Sequence, residues 1–180
     1  MKLFLFTLML VFASKVGFSQ NKVTTDTLIE WNKSRKLKWT DFKGNPPEDK
    51  FITIAETQCY IRYIESFYDN NNIPKFTLKC YFGKNQSWTI VSDLETLKHE
   101  QLHFDLWELV TRQIRKAFSD LNNKSEKNIS VYYEKYTELM HYGIELQNQY
   151  DNESYFSEKG QNYWNSKILS ELKELNNYEL

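Results

Sequence analysis

Two periods of hydrophobic and polar residues divide the chain. In KFTLKCYFG (75–83), Phe76, Leu78, Cys80 and Phe82 share one side of an alternating pattern, the period of a half-buried strand. FITIAETQCYIRYIESF (51–67) reads as its partner strand. The turn-rich DNNNIP (69–74) joins the two into a hairpin, and SWTIV (87–91) reads as one further short strand. Folded symmetrically about residues 69–70, this hairpin sets Cys59 opposite Cys80. A disulfide between them, or two small buried residues side by side, both fit that placement.

From residue 93 the period becomes helical. Ser92 followed by Glu95 has the form of a capping box, and the apolar spacing predicts a helix from about Asp93 to Phe118. A second helix is expected from about Asn128 to Gln149 and a third from about Glu158 to Leu175. Strands followed by helices, without βαβ alternation, imply an α+β fold: a small N-terminal antiparallel sheet packed on a helical half. Residues 21–50 form a polar, turn-rich lead-in anchored by Trp31, Trp39 and Phe42.

Composition narrows the function classes. The 180 residues suit one domain, and a net charge of −1 leaves no basic surface for nucleic acid. Twelve Tyr, twelve Phe and five Trp against five Gly and three Pro describe a packed body. The first residues, MKLFLFTLMLVFASKVGFSQ, place Lys2 before an apolar run from Leu3 to Ala13, with small residues near Gly17 and Ser19. That is the layout of a secretory signal peptide, expected to span 1–19 and to leave 20–180 as a single exported domain, periplasmic or extracellular. The run is too short for a stable membrane span, so no lasting membrane anchor is expected.

The chemistry lies in LKHEQLHFDLWELV (97–110). On a helix His99 and His103 stand one turn apart, about 40° in projection and roughly 6 Å along the axis. Two imidazoles so placed can share one zinc ion, and Glu100 beside them can take a proton from a water without ligating. Asp105 is a candidate acceptor for an imidazole N–H, the usual way a ligating histidine is oriented. A catalytic zinc needs a third protein ligand. His141 is level with the motif but falls on the solvated face of the second helix. The inward stripe of that helix, read as Ile129, Tyr132, Tyr133, Tyr136, Met140 and Gly143, continues through Gln147, Tyr150, Asp151 and Ser154. Asp151 is therefore the expected third ligand, with Glu153 as the alternative. Tyr150 and Tyr155 are candidate oxyanion donors.

W-x-D-F-x-G at 39–44, H-E-Q-x-H-F-D at 99–105, YDNES and a downstream QNYW resemble a bacterial family of predicted secreted zinc-dependent proteases, a domain of unknown function. The likeness runs from about Trp31 to Trp164. It implies a zincin-like arrangement with His99 and His103 on Zn2+, Glu100 as general base and peptide or protein as substrate. Phe156 stands where that family often has histidine. This departure motivates an alternative, a binding or scaffolding protein that keeps the fold without turnover.

Overall fold

The computed structural model describes residues 26–48, 53–155 and 157–180. The expected signal peptide, the first residues of the 51–67 strand and Phe156 lie outside the described residues. Antiparallel strands come first and long helices follow, the α+β class. Strands β1 (Leu28–Glu30), β2 (Ala55–Glu56), β3 (Cys59–Tyr68), β4 (Pro74–Gly83) and β5 (Trp88–Thr89) precede α1 (Leu94–Asn123), α2 (Ile129–Ser154) and α3 (Glu158–Glu174). β4 is the middle strand of an antiparallel sheet ordered β1-β4-β3, while β2 pairs with β5.

The sheet departs from expectation in three places. The 51–67 segment is two strands, because Ser87 Oγ accepts Gln58 N–H at 2.9 Å and diverts the chain between β2 and β3. The lead-in contributes β1, whose Glu30 is tied to β4 by Lys79 at 2.8 Å. The hairpin register is also shifted. Asp69 Oδ1 accepts the N–H groups of Asn71 and Ile73, and Asn72 takes a φ of 65°, so the reversal is centred beyond residue 70. A bulge between Tyr63 and Glu65 follows. Cys59 is consequently opposite Phe82, and Cys80 opposite Ile61. The two cysteines are diagonal neighbours with free thiols, and burial, followed by the neighbouring Cys59, pushes the Cys80 thiol up.

Helix ends differ as well. Asp93 caps α1, accepting Thr96 N–H at 2.8 Å, where Ser92 was expected to do so. α2 continues past Gln149 to Ser154, because Tyr150 and Ser154 still find buried positions and Gln149 pairs with Glu153 one turn on. Tyr133, expected inward, is 52% exposed, and Leu146 is buried on that helix instead.

α1 is enclosed on nearly every side. Its buried residues include Leu102, Phe104, Leu106, Leu109, Val110 and Ile114, but also Glu100, His103, Asp105, Glu108 and Arg112. Phe76, Leu78, Cys80 and Phe82 of β4 belong to the same core, where Phe82 meets Phe104 at 5.9 Å and Phe76 meets Phe118 at 5.2 Å. Farther along α1 the buried charge is paired: Glu108 accepts from Arg112 and Arg115 at 3.0 Å each, and Arg112 also reaches Glu179 at 2.8 Å.

The W-x-D-F-x-G stretch fastens the lead-in to this core. Trp39, Phe42, Phe82 and Phe104 form a chain of ring contacts, and Trp39 Nε1 donates to the carbonyl of Asp93 at the start of α1. Gly44 is required because a Cβ there would lie 2.9 Å from the carbonyl oxygens of Asn85 and Ser87. Asp41 receives both arms of the Arg35 guanidinium at 2.7 Å and the Lys38 N–H at 2.8 Å. Burial pushes its carboxyl up, but these bonds outweigh burial and hold it below its ordinary value.

A folded-state pKa below the unfolded one means that Asp41 contributes stability above the unfolded value, about 3.9, and loses it as pH falls through the folded value. Asp41→Asn is therefore expected to cost about 1–2 kcal/mol near neutral pH. In urea unfolding the gap to the wild type should close below about pH 4.

Candidate metal centre

Helical geometry alone brings the first two residues together. His99 and His103, one turn apart on α1, place their Nε2 atoms 3.2 Å from one another. The last turn of α2 supplies the third group. Asp151 Oδ1 lies 3.3 Å from His99 Nε2 and 3.0 Å from His103 Nε2. Tetrahedral coordination at about 2.0–2.1 Å separates neighbouring ligand atoms by roughly 3.3 Å, so this triangle has the dimensions a zinc ion requires. Among the described residues, no other group of His, Cys, Asp or Glu converges in this way. The His103 side chain is 9% exposed and that of Asp151 44%, so the triangle is sealed on one flank and open to solvent on the other.

The electrostatics describe three groups sharing one centre. Burial pushes the Asp151 carboxyl up, but the two imidazoles bonded to it pull it far below the carboxylate range. Burial pulls His103 down, and the bond to Asp151, its charge and that of Glu100 more than reverse this. Glu100 is 4% exposed, and its Oε2 has no hydrogen-bond partner. Nδ1 of His103 is likewise buried and unpartnered. A lone carboxylate oxygen in such a place carries a penalty of about 1–3 kcal/mol or more, which a water or a cation removes. The donor set and this orphaned oxygen both fit a zinc centre held by His99, His103 and Asp151.

The sealed flank is completed by α2 and α3. Tyr150, fully buried, stacks on the His99 ring at 4.6 Å between centroids and meets His103 edge-on at 4.9 Å. Its hydroxyl lies 2.9 Å from Gln161 Oε1 and 3.1 Å from the His99 carbonyl. That hydroxyl is spent on scaffold contacts, which gives Tyr150 a packing role, and burial pushes its pKa far up. Gln161 Oε1 also stands 3.2 Å from His99 Nδ1. In the sequence nothing distinguishes Gln161 beyond its place in QNYW.

Two expected site residues are elsewhere. Asp105 does not orient an imidazole. Two positions beyond His103 on a helix it faces away from the ring, accepting Trp31 Nε1 at 2.7 Å and Gln101 Nε2 at 2.9 Å, with Lys36 Nζ at 3.2 Å. Glu153 does not reach the centre either, because it accepts Trp164 Nε1 at 2.9 Å and Gln149 Nε2 at 2.8 Å. His141 is exposed, as its helical face implied. Among the described residues, no helix is long and apolar enough to cross a membrane. Comparison with known protein families, curated proteins and solved structures found no match to this chain.

The separation of Asp105 from the triangle can be tested. Asp105→Ala strands the indole N–H of Trp31 and is expected to cost about 1–3 kcal/mol of stability. Zinc uptake by the folded variant should equal that of the wild type, measured by thermal unfolding beside metal titration.

Proposed function

We propose that this protein is an exported zinc-dependent hydrolase that acts on peptide or protein substrates. The single observation that carries the reading is the Nε2–Nε2–Oδ1 triangle, 3.0–3.3 Å on a side, with a solvent-open flank. The unpartnered Glu100 Oε2 beside it supports a hydrolytic role over a purely structural one. The resemblance to secreted zinc-dependent proteases supplies the substrate class and the exported location.

In this reading His99, His103 and Asp151 hold the ion, which supplies Lewis acidity to make a water nucleophilic near neutral pH. Glu100 takes the proton from the attacking water and returns it to the leaving amine. Tyr150 keeps the two imidazoles apart and upright by stacking on one and bracing the other. The second reading, a zincin-like binding or scaffolding protein without turnover, rests on Phe156 as a lost ligand. Asp151 at 3.0 and 3.3 Å favours the first, since it makes a ligand at position 156 unnecessary.

Metal analysis separates these readings. The wild type should bind about one zinc per chain. His103→Ala and Asp151→Ala should each weaken binding by more than about 100-fold, beyond the cost of losing an outer partner. Glu100→Gln should keep the metal and lose peptide hydrolysis. Equal zinc in the wild type and both ligand variants would reject the site. A wild type that takes up little or no zinc would favour the binding protein.

A further inference from the structure

The two histidines of the triangle are equal in sequence but not in surroundings. Nδ1 of His103 is buried without a partner, whereas Nδ1 of His99 faces two oxygens, Gln161 Oε1 at 3.2 Å and Ser154 Oγ at 3.4 Å. The Ser154 hydroxyl donates its proton to the Tyr150 carbonyl at 2.7 Å, so the atom it turns toward His99 is a lone pair. Gln161 Oε1 can only accept. Two acceptors converging on one ring nitrogen favour hydrogen on Nδ1, and this turns Nε2 toward Asp151 Oδ1 and His103 Nε2 at the centre of the triangle.

We infer that Gln161 is a positioning residue, which sets His99 in the Nδ1–H tautomer and so prepares its Nε2 to ligate. The role reaches the site through α3. Gln161 is in the first turn of that helix, and its reach depends on the residue before it. A Cβ on Gly160 would fall 2.0 Å from the Glu153 carbonyl oxygen, so only glycine lets the start of α3 lie against the end of α2. The Tyr150 hydroxyl, 2.9 Å from the same Oε1, holds the amide in place. α1 supplies the ligand, α2 the stacking ring and α3 the acceptor. His99 is thus preorganised before any ion arrives through its Nδ1, whereas the Nδ1 of His103 has no such acceptor.

The tautomer follows from the protein alone; its effect on affinity rests on the zinc reading above. Long-range 1H–15N correlation spectra of the metal-free protein report which His99 nitrogen bears hydrogen. The wild type and Gln161→Glu, which keeps an acceptor, should show the Nδ1–H form. Gln161→Met, similar in size but without the acceptor, should show a mixture or the Nε2–H form at an unchanged far-ultraviolet circular dichroism spectrum. Zinc affinity, read by competition with a chromophoric chelator, should fall about 10–100-fold in Gln161→Met. It should stay within a few-fold of the wild type in Gln161→Glu. A wild-type His99 without hydrogen on Nδ1 overturns the inference, and so does Gln161→Met with unaltered tautomer and affinity. A wild type that takes up no zinc removes the metal reading instead, and the tautomer spectra still decide the role of Gln161.

Discussion

The constraint on which the structure depends is the enclosure of α1. Along its middle turns, a helix with a sheet against one flank and two helices against the other has little solvated face, so each polar atom there must meet a partner or be stranded. Most do. Asp105 collects Trp31, Gln101 and Lys36, and Glu108 is shared by two arginines that also hold carbonyls of the C-terminal residues Leu172 and Tyr178. Against that background the unpartnered atoms stand out. Glu100 Oε2 and His103 Nδ1 are both in the H-E-x-x-H turn, and the third such atom among the described residues, Gln113 Oε1, is on the same helix. Two of the three stranded atoms lie beside the converging ligand set, where the proposed centre would give them a use.

The same constraint explains what the surrounding elements contribute. β4 and the aromatic chain from Trp39 to Phe104 fix the position of α1, and α2 and α3 then carry the groups that complete the site. The sheet and lead-in are scaffold, while the site belongs to the helical half. The W-x-D-F-x-G stretch, one of the most distinctive in the chain, accordingly works at a distance: Asp41 folds the loop and Gly44 lets it seat against the backbone of residues 85–87.

Legibility in the sequence followed the range of the interaction. Features set by local periodicity were readable: the helical segments, the pairing of His99 with His103, and Asp151, which the inward stripe of α2 reached by simple continuation. Features set by docking were not. Asp105 and Trp31 are joined across the whole sheet region, and no local pattern distinguishes that bond from an imidazole contact. Gln161 became visible only once the Gly160 close approach had fixed where α3 begins relative to α2. The hairpin slipped because its turn depends on the side chain of Asp69 and one left-handed asparagine, not on symmetry.

The triangle also has a topological meaning. His99 and His103 share one helix, but Asp151 is on the next, across the turn between α1 and α2. An ion gripped by all three would close that stretch of chain into a ring, as a covalent crosslink does, and would lower the entropy of the opened state. It would do so reversibly and only for the helical hairpin, leaving the sheet untouched. Chelation would then loosen one half of the molecule before the other, and resistance to unfolding would become a property shared between the polypeptide and the zinc level around it.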